Sequence, residues 1–155
     1  GRLDETLFFE ALFYYQNIND YIYLQPQDKF RLTIRGAFPV FKYEQTNAQI
    51  YGFDWSMIYN VSEHLSANVK YSYLKGLDLE NNLPLIFMPA NNLFAVVKYQ
   101  IPHLGKFENI EFEINNKYVF EQTNLTNEQD FAAPPAAYNL IGLKLLHKDN
   151  SRRTA

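Results

Sequence analysis

The sequence of 155 residues contains no cysteine, which excludes disulfide scaffolds and zinc sites built from thiolates. It also has no run approaching the roughly 18 consecutive apolar residues that a membrane-spanning helix requires. No basic stretch leads into an apolar run at the amino terminus, so we do not interpret the first residues as a signal peptide. We therefore expect either a mature chain or a fragment, without helical membrane spans.

An excess of charge of one sign is also lacking. The chain has 14 basic and 17 acidic residues, interspersed along its length, for a formal net charge of −3. Proteins that bind nucleic acids usually carry a basic patch, so nucleic acid is not an expected partner. The six glycines form no phosphate-binding fingerprint, and no serine-histidine-aspartate grouping stands out. We predict that the protein is not an enzyme and has no catalytic residue, cofactor or metal site.

Aromatic residues are abundant, with 12 Tyr, 13 Phe and 1 Trp making 17% of the chain. This share exceeds what an ordinary core needs. Tyrosine and tryptophan are favoured at a membrane–water boundary, because each has an apolar body and a polar tip. The composition is thus typical of a protein with aromatic girdles.

Apolar and polar residues alternate with period 2, the pattern of a β-strand. The apolar registers are Tyr51, Phe53, Trp55, Met57 and Tyr59; Ala67, Val69, Tyr71 and Tyr73; Leu93, Ala95, Val97, Tyr99 and Ile101; and Ile110, Phe112, Ile114, Tyr118 and Phe120. Charged residues in the opposite registers are Asp54, Lys70, Lys98, Glu111, Glu113, Lys117 and Glu121. Two weaker strands are predicted within 6–24 and 138–146.

Several runs exceed ten residues, whereas globular strands usually have about five or six. The connections alternate in length: 60–64 and 102–107 are short, and 76–91 and 123–137 are long. Tight turns on one rim and long loops on the other are typical of outer-membrane barrels. We therefore predict an all-β fold of about six long antiparallel strands, part of an up-and-down transmembrane β-barrel, with another outer loop at 25–35.

Four segments carry a family resemblance. Residues 41–54, FKYEQTNAQIYGFD, resemble the part of TonB-dependent outer-membrane receptors in which an aromatic residue and Asn-Ala lead into an apolar-x-Gly-x-acidic strand. Residues 19–24, NDYIYL, look like a strand end before an outer loop in that family. Residues 87–93, FMPANNL, and 133–140, APPAAYNL, are similar to its proline-containing returns into a strand.

The resemblance implies a bacterial outer-membrane receptor with a 22-stranded barrel and an N-terminal plug, which imports a scarce nutrient. Its partners would be outer-membrane lipid, the remaining strands and plug, and an energy-coupling protein that acts through the plug. No segment here resembles the plug or the energy-coupling box. We therefore interpret residues 1–147 as a barrel segment and 148–155 as a polar tail. Siderophore, haem, metal complex, vitamin and oligosaccharide all remain open as cargo.

Residues that might carry chemistry have simpler structural interpretations. Glu111 and Glu113 share a predicted face with Lys117, and we expect all three to line the lumen together with Asp54 and Lys70. These charges favour a wide lumen, since burial in a small closed barrel would be costly. We expect the histidines to be solvated residues in turns or the tail, and the arginines to avoid strand centres. These residues are His64, His103 and His147, and Arg2, Arg31, Arg35, Arg152 and Arg153.

The predicted register can be tested by placing arginine on either face. We expect Phe112→Arg to block membrane assembly and Glu113→Arg to be tolerated.

The alternatives are a small complete β-barrel that binds a lipid or sugar, and an outer-membrane barrel that does not transport. The predicted lipid-facing residues are Tyr51, Phe53, Trp55, Val69, Tyr71, Val97, Tyr99, Ile110, Phe112 and Ile114.

Overall fold

A computed structural model describes residues 6–105, 107–123 and 134–147, and these residues form one antiparallel sheet. Six long strands lie in the order β1-β2-β3-β5-β6-β7, and a short strand, β4, pairs with β3. Within the described residues no helix is long and apolar enough to cross a membrane. The strands are β1 (Thr6–Thr33), β2 (Gly36–Asn60), β3 (Leu65–Asp78), β4 (Leu83–Pro84), β5 (Asn92–Leu104), β6 (Phe107–Val119) and β7 (Tyr138–His147).

The predicted fold class is confirmed. Each long strand is hydrogen-bonded to the strand before or after it in the chain, as expected for an up-and-down sheet. The two weak strands predicted at 6–24 and 138–146 are present as β1 and β7. The described strands form a curled, partial barrel with β1 and β7 at its two edges.

In each long strand the register places a mainly apolar alternate set of residues on the same face, although some apolar residues such as Leu12 and Phe94 lie on the opposite face. Phe53 pairs with Phe13 and Tyr73, and Tyr99 pairs with Phe112. We call this surface the apolar face. The opposite surface, the polar face, carries residues such as the cross-strand pair Lys98 and Glu113. The alternation read from the sequence therefore assigns the two faces correctly in β2, β3, β5 and β6.

The predicted outer loop at 25–35 is wrong. Strand β1 continues through this segment for a total length of 28 residues, and a two-residue turn at Ile34 and Arg35 leads directly into β2. Gly36 adopts φ 127°, a left-handed conformation that glycine accepts without the steric cost of a Cβ. We call residues 21–46, which extend beyond the rest of the sheet, the long hairpin.

Two β-bulges explain why the long hairpin was missed. The register shifts between Ile18 and Tyr21 and again between Gln27 and Phe30. Each bulge inserts unpaired residues and interrupts the period-2 pattern. Pro26 lies within β1 opposite Phe41, beside the second bulge.

The other connections follow the predicted alternation of short and long, with shifted boundaries. Residues 61–64 form the first short turn. Strand β5 continues through Pro102 to Leu104, so the second short connection has fewer residues than the predicted 102–107. Strand β3 continues to Asp78, and the first long loop is therefore 79–91. The second long connection begins at Phe120. The predictions for 124–133, for the tail 148–155, and for Arg2, Arg152 and Arg153 fall outside the described residues.

The sheet is a single layer, so its buried core is small. Among the described residues, the buried hydrophobic side chains are Ala48, Leu85, Ile86, Val96 and Ile110. Large side chains of the apolar face are exposed in this chain, for example Phe13 at 76% and Leu143 at 78%. No second layer of the described residues covers them, and an apolar face of this extent requires an apolar environment.

Candidate functional site

The polar face carries a group of paired charges near the short-turn edge, where the connections 61–64 and 105–106 lie. Lys98 Nζ is 3.3 Å from Glu113 Oε2 and 3.7 Å from Glu111 Oε1. Gln100 donates to Glu111 Oε2 at 3.3 Å, and Asn115 donates to Glu113 Oε1 at 3.4 Å. The two carboxylates thus have a cation and amide donors beside them. This arrangement stabilises their charge and gives no sign of an acid–base pair.

The structure places Glu111, Glu113 and Lys117 on one face, as predicted, and the cation that pairs with the two carboxylates is Lys98. Lys117 shares the polar face, yet it lies opposite Phe94 and Leu140. Four residues along one strand correspond to about 13 Å, whereas directly paired residues of neighbouring strands are about 5 Å apart. The nearest partner of a strand residue is therefore set by the cross-strand register.

Asp54 and Lys70 also lie on the polar face, as predicted. Asp54 is paired with Leu12 and Ser72, and Lys70 is paired with Ser56 and Phe94. Both therefore sit in a row of mixed polar and apolar neighbours. Neither is assembled with other charged groups into a cluster of metal ligands, and within the described residues no three His, Asp or Glu side chains are placed to hold a metal ion.

Gly52, two residues before Asp54, permits a tight aromatic contact on the polar face. A Cβ at this position would lie 2.2 Å from the carbonyl oxygen of Tyr73 and 2.6 Å from the hydroxyl of Tyr14. The Tyr14 hydroxyl donates to that carbonyl at 3.2 Å. The aromatic ring thus lies across the glycine and links β1 to β3 over the intervening strand, which gives the glycine of the apolar-x-Gly-x-acidic segment a structural role.

The three histidines are far apart. His64 lies in the 61–64 turn as predicted. His103 lies within β5, where its Nδ1 is 3.8 Å from Glu108 Oε1, and both side chains are mostly exposed. His147 ends β7 and its ring packs edge-on against Phe107. His103 is one residue before the end of β5 and His147 is the last residue of β7, so both lie beside the end of a strand, in agreement with the predicted positions in or beside turns or the tail.

Near the long-loop edge, a buried carboxylate joins three strands to the loop 79–91. Asp78, the last residue of β3, is 3% exposed. Its Oδ1 accepts hydrogen bonds from the backbone N–H groups of Glu80 at 2.9 Å and Asn81 at 3.1 Å, and from the Thr46 hydroxyl at 2.5 Å. Its Oδ2 accepts from Asn81 Nδ2 at 2.8 Å and from the Tyr23 hydroxyl at 3.4 Å.

These contacts determine the protonation states of Asp78 and Tyr23, which lie nearer the long-loop edge than the paired residues Tyr15 and Tyr51. Burial alone would raise the pKa of the Asp78 carboxyl, but the hydrogen bonds from Asn81, Thr46 and the Glu80 backbone outweigh it and hold the pKa below its ordinary value of 3.8. Burial, and then the negative charge of Asp78, raise the pKa of the Tyr23 hydroxyl. Asp78 is therefore an ionised acceptor and Tyr23 a protonated donor at neutral pH.

The loop 79–91 lies against the polar face. Leu85 donates its backbone N–H to the carbonyl of Gly76 at 3.0 Å, and Leu85 and Ile86 are buried. A Cβ on Gly76 would come within 3.0 Å of both Leu85 and Met88 side chains, so the glycine permits this close approach. Gln122 Nε2 donates to the Met88 carbonyl at 2.5 Å and ties the loop to the following connection.

A cavity of about 310 Å³ lies between this loop and strands β1 and β2. The strands contribute polar side chains, and the loop contributes Asn81 and four apolar side chains. Another concavity, of about 430 Å³, lies at the short-turn edge beside His64 and Glu111. The residues that line the first cavity are Tyr23, Gln25, Glu44, Gln45, Asp78, Asn81, Leu83, Pro84, Leu85 and Ile86.

The sequence did not single out the residues around this cavity. Tyr23 and Asp78 are separated by 55 positions and meet only through the register of three strands. Gln25 was assigned to a loop. The one available signal was the pair of tyrosines at 21 and 23, since residues two apart on a strand share a face. Their rings are in fact stacked, with centroids 6.3 Å apart and planes at 20°.

Comparison with known proteins gives a structural match. No family model matches the sequence, and no curated protein matches it. Among solved structures, the chain is similar to one described as "Copper transporter OprC", with a TM-score of 0.76 and 15% sequence identity. The match covers 96% of this chain and 21% of that one, so this chain spans about a fifth of the transporter's length. The likeness shows the fold, an antiparallel partial barrel.

Proposed function

We propose that this chain forms part of the wall of a transport barrel in the bacterial outer membrane, as a segment of a TonB-dependent receptor that imports a scarce nutrient. The observation that carries this proposal is the apolar face, a single-layer surface of exposed aromatic and aliphatic side chains bounded by tyrosines. The four resemblances in the sequence and the structural likeness to a copper transporter support it.

Lipid provides the environment that the apolar face requires. Phe13, Ile141 and Leu143 are each more than 70% exposed within this chain. Leaving such side chains in water forfeits about 1.5–3 kcal/mol for each one. An acyl-chain environment removes that cost without a second protein layer, and the backbone groups inside the sheet are already paired between strands, as a membrane demands.

Tyrosines mark the two boundaries of the proposed lipid contact. On β2, Tyr51 and Tyr59 lie on the apolar face eight residues apart, or about 27 Å along the strand. The apolar band of outer-membrane barrels is about 25 Å tall, with aromatic girdles at both edges. We call the part of the sheet between Tyr51 and Tyr59 the band. At the upper boundary Tyr15 pairs with Tyr51, and at the lower boundary Tyr99 lies two residues beyond the cross-strand row of Tyr59.

The polar face then lines the lumen, and the long hairpin and the loop 79–91 lie on the outer side. The lumen is wide in this proposal, because the open sheet has β1 and β7 at its edges and further strands of the parent receptor complete the circle. The partners are outer-membrane lipid, those strands, the plug and an energy-coupling protein. The nutrient is a siderophore, a metal complex, a vitamin or an oligosaccharide.

A small complete barrel that binds a lipid or sugar is a weaker candidate. Closing such a barrel requires β1 to pair with β7, and in the described residues these strands lie at opposite edges of the sheet.

An outer-membrane barrel without transport activity would have the same apolar and polar faces. Uptake of radiolabelled nutrients by cells with and without the parent receptor distinguishes it from a transporter.

Arginine on either face tests the proposed membrane contact. Glu113→Arg is a poor control, because it would place a third cation beside Lys98 and Lys144. Ser72 is a better position, since it lies on the polar face opposite Asp54. Phe112 is paired with Tyr99 at the lower boundary of the apolar face, where a charge costs only about 0–1 kcal/mol. Trp55 lies midway between Tyr51 and Tyr59, so we expect Trp55→Arg to cost about 2–4 kcal/mol and to abolish assembly. Ser72→Arg should assemble normally.

Assembly is measured in the parent receptor by outer-membrane fractionation and by the change in gel mobility on heating. Loss of assembly in Trp55→Arg alone supports the proposal. Equal tolerance of both substitutions would show that the apolar face does not contact lipid.

A further inference from the structure

We infer that the cavity beneath the loop 79–91 binds a neutral, hydroxyl-rich ligand, so that the cargo of the proposed receptor is a saccharide. This inference rests on the proposed function and narrows its substrate class. It is carried by the stacked tyrosines, the uncharged hydrogen-bonding side chains and the compensated charges around one cavity on the polar face.

Tyr23 provides a rigid aromatic wall. Its hydroxyl is fixed by the hydrogen bond to Asp78, and one face of its ring is covered by Tyr21. Gln25, two residues further along the same face of β1, lines the same cavity as Tyr23. The negative face of an aromatic ring attracts polarised C–H groups such as those of a pyranose ring. An aromatic ring that is already fixed in place loses little entropy on binding.

Amide side chains supply the hydrogen bonds that hydroxyl groups require. Gln25 is exposed on the strand side of the cavity, and its side-chain amide offers both a donor and an acceptor. Asn81 lies across from it and uses its Nδ2 on Asp78, which leaves Oδ1 as an acceptor. Leu83 and Pro84 form an apolar floor from the loop. A few convergent polar groups over an apolar surface are typical of small-molecule sites.

The two carboxylates that line the cavity, Glu44 and Asp78, already have partners within the protein, which disfavours a strongly charged ligand. Glu44 Oε1 is 2.7 Å from Lys42 Nζ, and both lie on the polar face of the long hairpin. Asp78 is ionised, but five hydrogen bonds from protein groups occupy its two oxygens. A cation would have to displace these donors, and an anion would meet two carboxylates. A neutral ligand meets neither cost.

A glycan array tests this inference on the full parent receptor in detergent. The array carries neutral oligosaccharides, acidic oligosaccharides and core fragments of lipopolysaccharide. We expect retention of neutral oligosaccharides. The affinity for a retained glycan should fall about tenfold in Tyr23→Ala, from the lost ring contact, and measurably in Gln25→Ala. Gln25→Ala leaves the Asp78 hydrogen bonds in place, so it separates ligand contact from damage to the loop.

Tyr43→Ala is the matched control, because Tyr43 lies on the same hairpin but on its opposite face and is 72% exposed. Its affinity should equal that of the unmodified receptor. An assembled receptor that retains only acidic or core glycans, or that binds equally well in all three variants, overturns the inference and leaves the proposed function intact. A receptor that fails to enter the outer membrane overturns both.

Discussion

The band and the long hairpin are formed by the same two strands, yet they differ in how their residues are arranged. Within the band, β1 and β2 pair without interruption from Leu7 opposite Tyr59 to Ile18 opposite Ala48. The hairpin begins at a bulge where Asp20 adopts φ 57° and its carboxylate accepts from Gln45 Nε2 at 2.7 Å. Polar side chains thus separate the two regions.

The two regions differ in how strictly the register between β1 and β2 must be maintained. A one-residue register slip in the band would turn its aromatic side chains from the apolar face to the polar face, so uninterrupted pairing is essential there. Beyond the band, apolar residues such as Ile22 and Leu32 are exposed on the hairpin, at 62% and 82%. Two bulges are accommodated in this region, which in the proposed function lies outside the contact with lipid.

The largest expected effect comes from a single added methyl group in the band. Gly52→Ala places a Cβ within 2.2 Å of a backbone carbonyl, which no side-chain rotation can relieve. We expect a loss of more than about 3 kcal/mol and little assembled barrel. The matched substitution in the hairpin, Gly36→Ala, meets no atom within 4 Å and should cost only about 1–2 kcal/mol of backbone strain. Equal yields of the two variants on heat-modifiability gels would contradict the comparison.

A smaller effect is expected at the junction of the two regions. Asp78→Ala removes the acceptor for five hydrogen bonds and leaves Tyr23, Thr46 and the Asn81 amide without it. The loop 79–91 should become sensitive to proteases while the barrel still assembles, with a cost of about 1–3 kcal/mol. Leu79→Ala serves as the control, because this side chain is 49% exposed and the hydrogen bond of Leu79 to Asn47 is made by its backbone. This variant should be cleaved no faster than the unmodified protein. Unchanged cleavage of Asp78→Ala would show that the carboxylate does not hold the loop.

The junction should also respond to pH. Because the pKa of Asp78 is lower in the folded protein than its ordinary value of 3.8, its stabilising contribution is fully present above that value and is lost as the pH falls through the folded pKa. Hydrogen exchange at the Glu80 and Asn81 amides, corrected for intrinsic rates, should stay constant from pH 7 to about pH 4 and increase below it. Asp78→Asn should remove this dependence, and the same acid response in that variant would assign it to another group.

The smallest effect is expected from removing the tip of the hairpin together with its second bulge. Replacing residues 27–40 by Asn-Gly joins Pro26 to Phe41, which already face each other across the two strands. Asn-Gly is a favoured two-residue hairpin turn. The free energy of unfolding should change by less than about 0.5 kcal/mol, because the band is untouched. A large loss of assembly would mean that the hairpin tip contributes to the folding of the wall.

The sequence predicts the band well, since each of its strands must present one face to each environment and therefore alternates in character. Trp55 and Tyr71 could be placed on one face for this reason, and they do lie in one cross-strand row. The hairpin could not be predicted because two bulges break the period. The cavity could not be predicted either, since Tyr23 and Asp78 meet only once the register of β1, β2 and β3 is fixed.

The exposure of the two faces to lipid is the most direct measurement of the central claim. This segment has no cysteine, so each residue from 65 to 75 on β3 can be replaced in turn by a spin-labelled cysteine in the parent receptor. In lipid bilayers, labels at odd positions such as Val69 should collide with oxygen, and labels at even positions such as Ser72 should collide with a water-soluble nickel chelate. Collision rates without this two-residue period, or with the opposite phase, would contradict the assignment of the apolar face to the membrane.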